Sequence, residues 1–508
     1  MRVLTRQQSK MMDSLAMDRE GISGTFLMGN AGKAIAEEVK SLYINQLSQD
    51  PVLIICGKGN NGGDGFATAQ YLHEWNIPFV IYSIPDSENI IGDSKHFHDK
   101  CAFDGTSITY GTDLPLKTKW ALVVDAILGT GFQGDLHEPY RCWTEWMNNL
   151  DCPIVAADIP SGVDSNNGQL SQDAIYALRT VTMGNSKLGL QIEPGKSHGG
   201  TVTIADIGFP DVYKDLTGLN FTIFDESLSN IHLQKPSPDA YKYSMGRVLI
   251  IAGSTGMTGA AILAAKAALR SGAGLVKVCI PEMLNSVFEA SVIEAISIAC
   301  PDDGNGYFTS ASLSTIREQI EWCDVALIGP GVGIHKQTID CLKQVISESK
   351  KPLIIDADGL RVFESQSDFT ALKIPYIITP HYGEWSRIIS KDVHDIKQDL
   401  NKHLESFLED FTGVLHLKNA PSMTAFQQNV IINSTGNSGL ASGGTGDVLA
   451  GIIAGLVGQR ISVDEAAQMG AYIHGKAADE LTKSKGYRGL IASDLIEMIP
   501  SIIAPYER

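Results

Sequence analysis

The sequence predicts an α/β protein of two doubly wound domains, on three observations. The chain has 508 residues, more than one ordinary hydrophobic core accommodates. Short, nearly continuous apolar runs alternate with turns and helical stretches, as parallel strands covered on both faces do. That pattern fades near the middle of the chain and then starts again. At 44% hydrophobic and 19% charged residues, the composition supplies enough apolar surface for both cores.

Taken in order, "TRQQSKMMDSLAMDREGISGTFLMGNAGKAIAEEVKSLY" has helical apolar spacing. The runs "PVLIICG", "FVIYSI", "ALVVDAI" and "PIVAADIP" follow as buried parallel strands, with "GFATAQYLHEWN" as a crossover helix. "ALRTVTMG" and "GTVTIADIGFP" add strands before "FDESLSNIHLQKPSPDAYKYSMG" breaks the periodicity. A boundary near residue 230 divides the chain into domains 1–229 and 230–508. The second pass brings the strand "RVLIIAG", the helix "GAAILAAKAALRSG" and the strand "LVKVCI", then "CDVALIGPG", "PLIIDADG", "YIITP" and "GVLHLKNA". A helix from Asp447 onward and two more, in "AAQMGAYIHGKAADEL" and "IASDLIEMIP", complete it. The halves share a fold class without a visible sequence repeat.

Charge and cysteine usage narrow the function classes. The formal net charge is -18 and no basic stripe is present, which argues against nucleic acid as a partner. An anionic ligand must then be met locally, by backbone N–H groups, lysines or a metal ion. Eight cysteines stand singly with no CxxC, as reduced thiols in a cytoplasmic protein would. The first residues lack the continuous apolar run of a signal peptide. "LAGIIAGLVG" is too short to span a bilayer, so no membrane association is expected.

In the first domain, "CGKGNNGGDGF" follows a strand and opens a helix, whose free N–H groups can face an anion. It lacks the GxGxxG spacing of the dinucleotide fingerprint, and also reads as a glycine-rich turn with local Asn bonds. Two more loops sharpen it. "VVDAILGTGFQGDL" sets Asp125 at a strand end, and "AADIPSGVD" sets Asp158 at another, ahead of Ser161. Ligands of open parallel sheets bind beyond the carboxyl ends of strands, so the three loops can share one pocket. Asn, Asp and Ser oxygens suit a hard cation such as potassium or magnesium, and Asp158 suits acid/base work. Alternatively, each Asp caps its neighbouring turn.

The second domain has "IAGSTGMTGAAILAAKAAL" and "LIGPGVG" as close-approach loops. "IIDADGL" places Asp356 and Asp358 on one side of a strand end by period two, "ITPHYGEWSRI" sets His381 and Glu384 at a strand-to-helix turn, and "LHLKNA" sets Lys418 at a strand end. Singly these are a turn-bonded carboxylate, a loop histidine and a solvated lysine. "NSGLASGGTGDVLAG" says more, because "SGGTGD" can wrap N–H groups around a phosphoryl group at a helix start. Asp447 there is either a base for an attacking hydroxyl or a simple helix cap. The P-loop pattern GxxxxGK[ST] is absent, so the lysine comes from elsewhere.

With these stretches in order, the chain resembles the bifunctional NAD(P)H-hydrate repair enzymes over nearly its whole length. The first domain carries "GNNGGDG", "VVDAILGTG", "AADIPSGVD" and "VTMGNSKLGLQIEPGKSHGG"; the second carries "GPGVG", "DADGL", "TPHYGE", "LK" and "GLASGGTGDVLAG". The resemblance implies an N-terminal Rossmann-like epimerase domain and a C-terminal ribokinase-like, ADP-dependent dehydratase domain. Carried over by position, it implies potassium ligands at Asn61, Asp125 and Ser161. It implies contacts to the hydrated nucleotide at Asn60, Asn61, Gly62, Gly63, Asp64, at Gly129, Thr130, Gly131, Phe132, Gln133, Gly134, Asp135, and at Asp158, the acid/base group. In the dehydratase it implies substrate contacts at Ala261, Gly333 (with Gly331 and Val332 as alternatives), His381 and Asp447, the base. ADP would lie against Lys418, Asn419, Ala420, Pro421, Ser422 and the loop Ala441, Ser442, Gly443, Gly444, Thr445, Gly446, with magnesium. Substrates would be NAD(P)HX and ADP, and the assembly a homo-oligomer, a tetramer among its forms. Two positions depart from the family pattern: Asn419 stands where a glycine is usual, and Asn437–Ser438 replaces an Asn–Pro step. The rival readings are a small-molecule kinase of the same fold and a nucleotide sensor without catalysis. The kinase does not explain the fused first domain, and the sensor does not explain intact Asp158 and Asp447.

Overall fold

The computed structural model describes residues 1–45, 50–103, 105–117, 119–210, 215–224, 233 and 235–507. The expected boundary near residue 230 lies outside the described residues. The chain forms two compact units. One holds Arg2–Phe221 with Gln398–Asn401; the other holds Thr222–Lys397 and Lys402–Arg508, with Met1. Among the described residues no helix is long and apolar enough to cross a membrane.

The first unit is built on strands β1 (Val52–Cys56), β2 (Phe79–Ser83), β3 (Ile108–Tyr110), β4 (Val123–Ala126), β5 (Ile154–Ala157), β6 (Arg179–Met183) and β7 (Thr201–Ala205). They form one parallel sheet in the order β3-β2-β1-β4-β5-β6-β7. β1, β4 and β5 are buried at every residue, as expected of central strands covered on both faces. The strand order reverses between β1 and β4, so the loops after these two strands flank the switch point where open sheets bind ligands. A short strand, Arg2–Leu4, pairs in parallel with Ser186–Lys187, Leu4 opposite Lys187.

Two expectations for this unit change. The single N-terminal helix is interrupted. Helix α1 (Arg6–Ser14) continues into a π-helical turn, Leu15–Arg19, and the chain bends at Gly21 (φ +68°) before α2 (Gly24–Ile44). Thr5 and Ser23 each accept a backbone N–H at a helix start, and these caps define two helices where periodicity alone reads one. Helix α3 begins earlier than expected, at Asn60, and runs to Glu74. The glycine-rich segment is therefore the helix's first turns. A Cβ on Gly62 would lie 2.0 Å from the Gly57 carbonyl oxygen, so this glycine permits contact between helix and incoming strand.

In the second unit the strands are β8 (Arg247–Ile251), β9 (Leu275–Pro281), β10 (Ile296–Cys300), β11 (Val325–Ile328), β12 (Leu353–Ile355), β13 (Tyr376–Ile378), β14 (Val414–Leu417), β15 (Met423–Phe426) and β16 (Asn429–Asn433). Within the unit they lie in the order β10-β9-β8-β11-β12-β13-β14-β15-β16. Pairing is parallel as far as β14 and antiparallel in β15 and β16. The order reverses between β8 and β11, which sets the loops "GSTGMTG" and "GPGVG" at a second switch point. Helix α4 (Thr258–Arg270) packs against α5 (Thr445–Gly458) at glycine and alanine. A Cβ on Gly451 would come within 2.4 Å of the Ala264 carbonyl oxygen. Close packing of these helices fixes where α5 begins, and with it Asp447. The strands β10, β15 and β16 are additions to the sequence reading.

Candidate functional site

In the first unit, Asp125, Asn61 and Ser161 come together beyond the sheet. Asp125 is fully buried near the end of β4. Its Oδ1 accepts from the Ser161 hydroxyl at 2.6 Å, and its Oδ2 accepts from the Ser161 N–H at 2.7 Å. Burial pushes its carboxyl up to about 6, against hydrogen bonds from Ser161 and Ile127 that lower it. The Asn61 amide donates to the Leu128 carbonyl at 2.9 Å, and the Ser161 hydroxyl accepts from the Leu128 N–H at 2.9 Å. Among the described residues no basic side chain donates a hydrogen bond to Asp125. An oxygen-only set with one uncompensated buried carboxylate fits a hard monovalent cation.

Asp158 follows β5 with φ +63°, a conformation disfavoured for a residue with a side chain. Its Oδ1 accepts from the Lys187 ammonium at 2.5 Å, and from Thr182 Oγ1 and the Met183 N–H at 3.2 Å each. Lys187 also donates to Thr182 Oγ1 and the Met183 carbonyl, both at 3.0 Å. Turn capping is thus part of what Asp158 does, but its ion pair with a buried lysine exceeds capping. Sequence reasoning quoted Lys187 only within a longer stretch; its register opposite Leu4 is not visible in a linear pattern. Arg6 was also missed. It donates to the carbonyls of Thr130 and Phe132 at 3.0 Å each and pairs with Asp164 at 2.6 Å, so it fastens the Gly129–Asp135 loop. Gly59 and Gly131 have open space where a Cβ would stand, so backbone there is accessible to a ligand.

In the second unit the convergence centres on Lys418. Its ammonium donates to Asp356 Oδ1 at 2.7 Å, and Thr379 Oγ1 donates to the same oxygen at 2.6 Å. Burial works to lower the Lys418 pKa, but Asp356, with Glu384 and Asp447, outweighs it and holds the group above its usual value. Asp356 is 1% exposed, and its Oδ2 has no hydrogen-bond partner among the described residues. The period-two argument for Asp356 and Asp358 fails, because the strand stops at Ile355 and Ala357 turns at φ +49°. The two still share a neighbourhood: both raise the pKa of Asp447. Asp358 Oδ2 accepts from the Gly333 N–H at 3.0 Å.

Asp447 is not the helix cap. The cap position is Gly444 at φ +88°, with no side-chain bond, and Asp447 sits in the first turn of α5. Its carboxylate accepts no hydrogen bond among the described residues. Burial pushes it up to about 7, aided by Asp356 and Asp358 and opposed by Lys418. The Lys418 ammonium lies 3.5 Å from where a Cβ on Gly446 would stand, and Gly443 has open space around it. Lysine, glycine-rich turn, helix N-terminus and an unbonded carboxylate therefore share one corner, where an anion and a hydroxyl can be handled together.

His381 caps the helix Tyr382–Ile389: its Nδ1 accepts from the N–H groups of Gly383 and Glu384 at 3.0 and 3.2 Å. His381 Nε2 lies 3.6 Å from Glu384 Oε1, and 59% of the side chain is exposed, which leaves the ring accessible to a ligand. Ala261 is buried in α4. Gly333 (φ +79°) stands beside Ser254, Met257 and His335, in a loop tied down by Ser254 Oγ donating to the Gly331 carbonyl at 2.8 Å. Asn419 is exposed and bonds the Tyr382 hydroxyl; it precedes the cis peptide Ala420–Pro421. Ser422 accepts the Asn433 N–H at 2.9 Å through its carbonyl. Asn437 keeps a formed turn: its Oδ1 accepts from the Gly439 N–H at 2.9 Å and its amide donates to Asp479 at 2.7 Å. Among the described residues no group of three or more His, Cys, Asp or Glu is arranged to hold a metal ion.

Comparison with known proteins places these two corners in context. Residues 248–501 match the NAD(P)H-hydrate dehydratase family, and residues 24–189 match the family described as YjeF-related protein N-terminus. The bifunctional NAD(P)H-hydrate repair enzyme of Moorella thermoacetica is 33% identical, the alignment covering 100% of this chain and 97% of that protein. The enzyme of that name from Salinibacter ruber is 32% identical over 99% of this chain and 96% of its own. A ribokinase-like superfamily protein from Enterococcus faecalis aligns with 56% of this chain and 96% of its own, at 27% identity and a TM-score of 0.50.

Proposed function

The chain belongs to the bifunctional NAD(P)H-hydrate repair enzymes, and from that premise we propose how its two units restore a damaged cofactor. The first domain, placed at residues 1–229, interconverts the R and S forms of NAD(P)HX, in which nicotinamide C6 carries a hydroxyl. The second (residues 230–508) converts the S form to NAD(P)H with ADP, releasing AMP and phosphate. The observation that carries the second reaction is the Asp447 carboxylate, unbonded and raised to about 7, beside Lys418 and the glycine-rich start of α5.

In the dehydratase, Asp447 accepts the proton of the C6 hydroxyl as that oxygen attacks the terminal phosphorus of ADP, and AMP departs. Phosphate is a far better leaving group than hydroxide. The ring nitrogen expels it from C6, and loss of a C5 proton restores the double bond. Backbone N–H groups of Ser442–Gly446 and the positive end of α5 stabilise the charge developing on the phosphoryl oxygens. Lys418, held by Asp356, supplies a fixed positive charge on the phosphates. Gly333, Ala261 and the exposed imidazole of His381 hold the nicotinamide side. Magnesium, when it accompanies the nucleotide, neutralises phosphate charge.

In the epimerase, Asp158 moves the proton that lets C6 lose and regain its hydroxyl, and Lys187 keeps that carboxylate oriented. Asn60–Asp64 and Gly129–Asp135 contact the substrate. Asn61, Asp125 and Ser161 would hold potassium, which supplies the counter-charge Asp125 otherwise lacks. The protein is cytoplasmic and a homo-oligomer in this reading. Mixed R and S NADHX with ADP tests it: absorbance of the reduced nicotinamide should recover fully, and only the S share should recover when Asp158 is Asn. A stable phosphorylated alcohol with no recovery would instead mark a kinase.

A further inference from the structure

The first unit holds more acid than one proton transfer uses. Asp158 is paired with Lys187, but two further carboxyls share their electrostatic field. Asp64 is 8% exposed, with no hydrogen bond to its carboxylate among the described residues. Burial pushes it well above the usual carboxylate range, aided by Asp158 and Asp13 against Lys187. Asp13 is open to solvent on one side. It is pushed up to about 6 by the protein packed on its others and by the charge of Asp158, against Lys187.

The backbone brings Asp13 there independently. Its helix α1 starts directly after the strand that sets Leu4 opposite Lys187. At the other end of that helix, Arg6 is bonded to the carbonyls of Thr130 and Phe132 in the substrate loop. Arg6 and Asp13 are about two helical turns apart and so lie on one face. The face that grips the substrate loop therefore carries Asp13 as well. Met12, beside it, is buried with Leu4 and Leu216 and anchors the helix.

We propose that Asp13 is a second catalytic acid/base group of the epimerase, exchanging roles with Asp158. The inference rests on the epimerase reading given above. Inversion at C6 needs a proton delivered to the departing hydroxyl and a proton taken from the water that adds to the other face. One carboxylate beside one ammonium serves one face. In the forward direction the Asp13 carboxyl gives its proton to the C6 hydroxyl oxygen. The C6–O bond breaks as the ring nitrogen's lone pair forms the C=N bond, and water leaves. A water then adds to the opposite face of C6, Asp158 takes its proton, and the nitrogen lone pair is restored. The proton returns from Asp158 to Asp13 through solvent, which Asp13 can reach.

The test uses the full chain without ADP, starting from resolved R-NADHX and following S-NADHX by chromatography, so that only the first unit is read. Asp13→Asn is expected to lower kcat about 10²-fold or more with KM nearly unchanged, while ADP-dependent dehydration of S-NADHX proceeds at the wild-type rate. Asp13→Glu, which keeps the carboxyl, is expected to recover part of that loss. Wild-type kcat in Asp13→Asn, or a loss confined to KM, overturns the proposal when Asp158→Asn is inactive in the same assay. Wild-type epimerisation in both variants would instead overturn the epimerase assignment itself. Asp13→Asn retains shape at a solvent-facing position, and a melting temperature equal to wild type separates lost catalysis from lost fold.

Discussion

Asp447 differs from an ordinary first-turn carboxylate in what surrounds it. Most acidic residues at a helix start bond the free N–H groups; here Gly444 holds the cap position and the carboxylate is left for chemistry. Burial and two neighbouring carboxylates bring it up to about 7, near the optimum for a base at neutral pH. The base must be ionised, so kcat/KM for dehydration should fall as pH drops through about 7 in a pH–rate profile. Asp447→Asn should lose about 10²–10⁴-fold in kcat, with epimerisation retained. Lys418 bears on stability as well as on the ADP contact proposed for it. Its partner Asp356 is 1% exposed, and removing one member of a buried pair leaves an uncompensated charge. Lys418→Met should therefore destabilise the second unit by about 3–5 kcal/mol in denaturant unfolding, and adding Asp356→Asn should recover most of that. The positions of Asp158, Lys418 and Asp447 were legible as strand-end or helix-start residues. Asp356 as the lysine's anchor and Lys187 as the partner of Asp158 were not, because each pairing depends on register between segments far apart in sequence.

Among the elements, the glycine-rich segments divide into two kinds that look alike as sequence. Gly62, in the first turns of α3, is enclosed by the Gly57 backbone at 2.0 Å, whereas Gly443, ahead of α5, has open space. Gly62→Ala should cost about 1–3 kcal/mol in stability of the first unit, read by its unfolding transition. Gly443→Ala should leave stability alone and raise KM for ADP. This division also explains why the Asn60–Gly65 stretch reads as a loop in sequence yet folds as helix. Glycine lowers helix propensity, but tertiary packing against β1 requires a residue without a Cβ there. Most of the parallel strands were legible because nearly continuous apolar runs have few other uses in a protein of this kind. The strands β3, β10, β15 and β16 were not, since "ITY", "ISIAC", "MTAF" and "NVIIN" are short and flanked by polar residues that blur their pattern. The Asn437–Ser438 step, which departs from the family pattern, is secured by Asp479 of the helix Val463–Lys485, so that departure does not leave the nucleotide loop without support.

On the scale of the whole molecule, both candidate sites gather residues that follow the carboxyl ends of parallel strands, and both carry carboxylates held above their usual range. That choice has a thermodynamic signature. Asp447 at about 7 and Asp125 and Asp13 at about 6 bind protons more tightly than the unfolded chain does, whose value is near 3.8. With more protons bound in the native state, stability from these groups falls as pH rises from about 4 to about 7 and is then constant. Relative to Asp447→Asn, the wild type should lose stability over that window in urea unfolding without ligands. Potassium should offset the Asp125 share, raising the melting temperature of the wild type but not of Asp125→Asn. The central claim, however, is that the second unit removes the misplaced hydroxyl by first making it a phosphate ester, with Asp447 as the base. S-NADHX carrying heavy oxygen at the C6 hydroxyl tests this directly. With ADP present, the label should appear in inorganic phosphate, one labelled phosphate for each NADH restored, because the C6 oxygen attacks phosphorus before the C–O bond breaks. Label released as water, with unlabelled phosphate, would contradict the account and mean that ADP cleavage and dehydration are separate events.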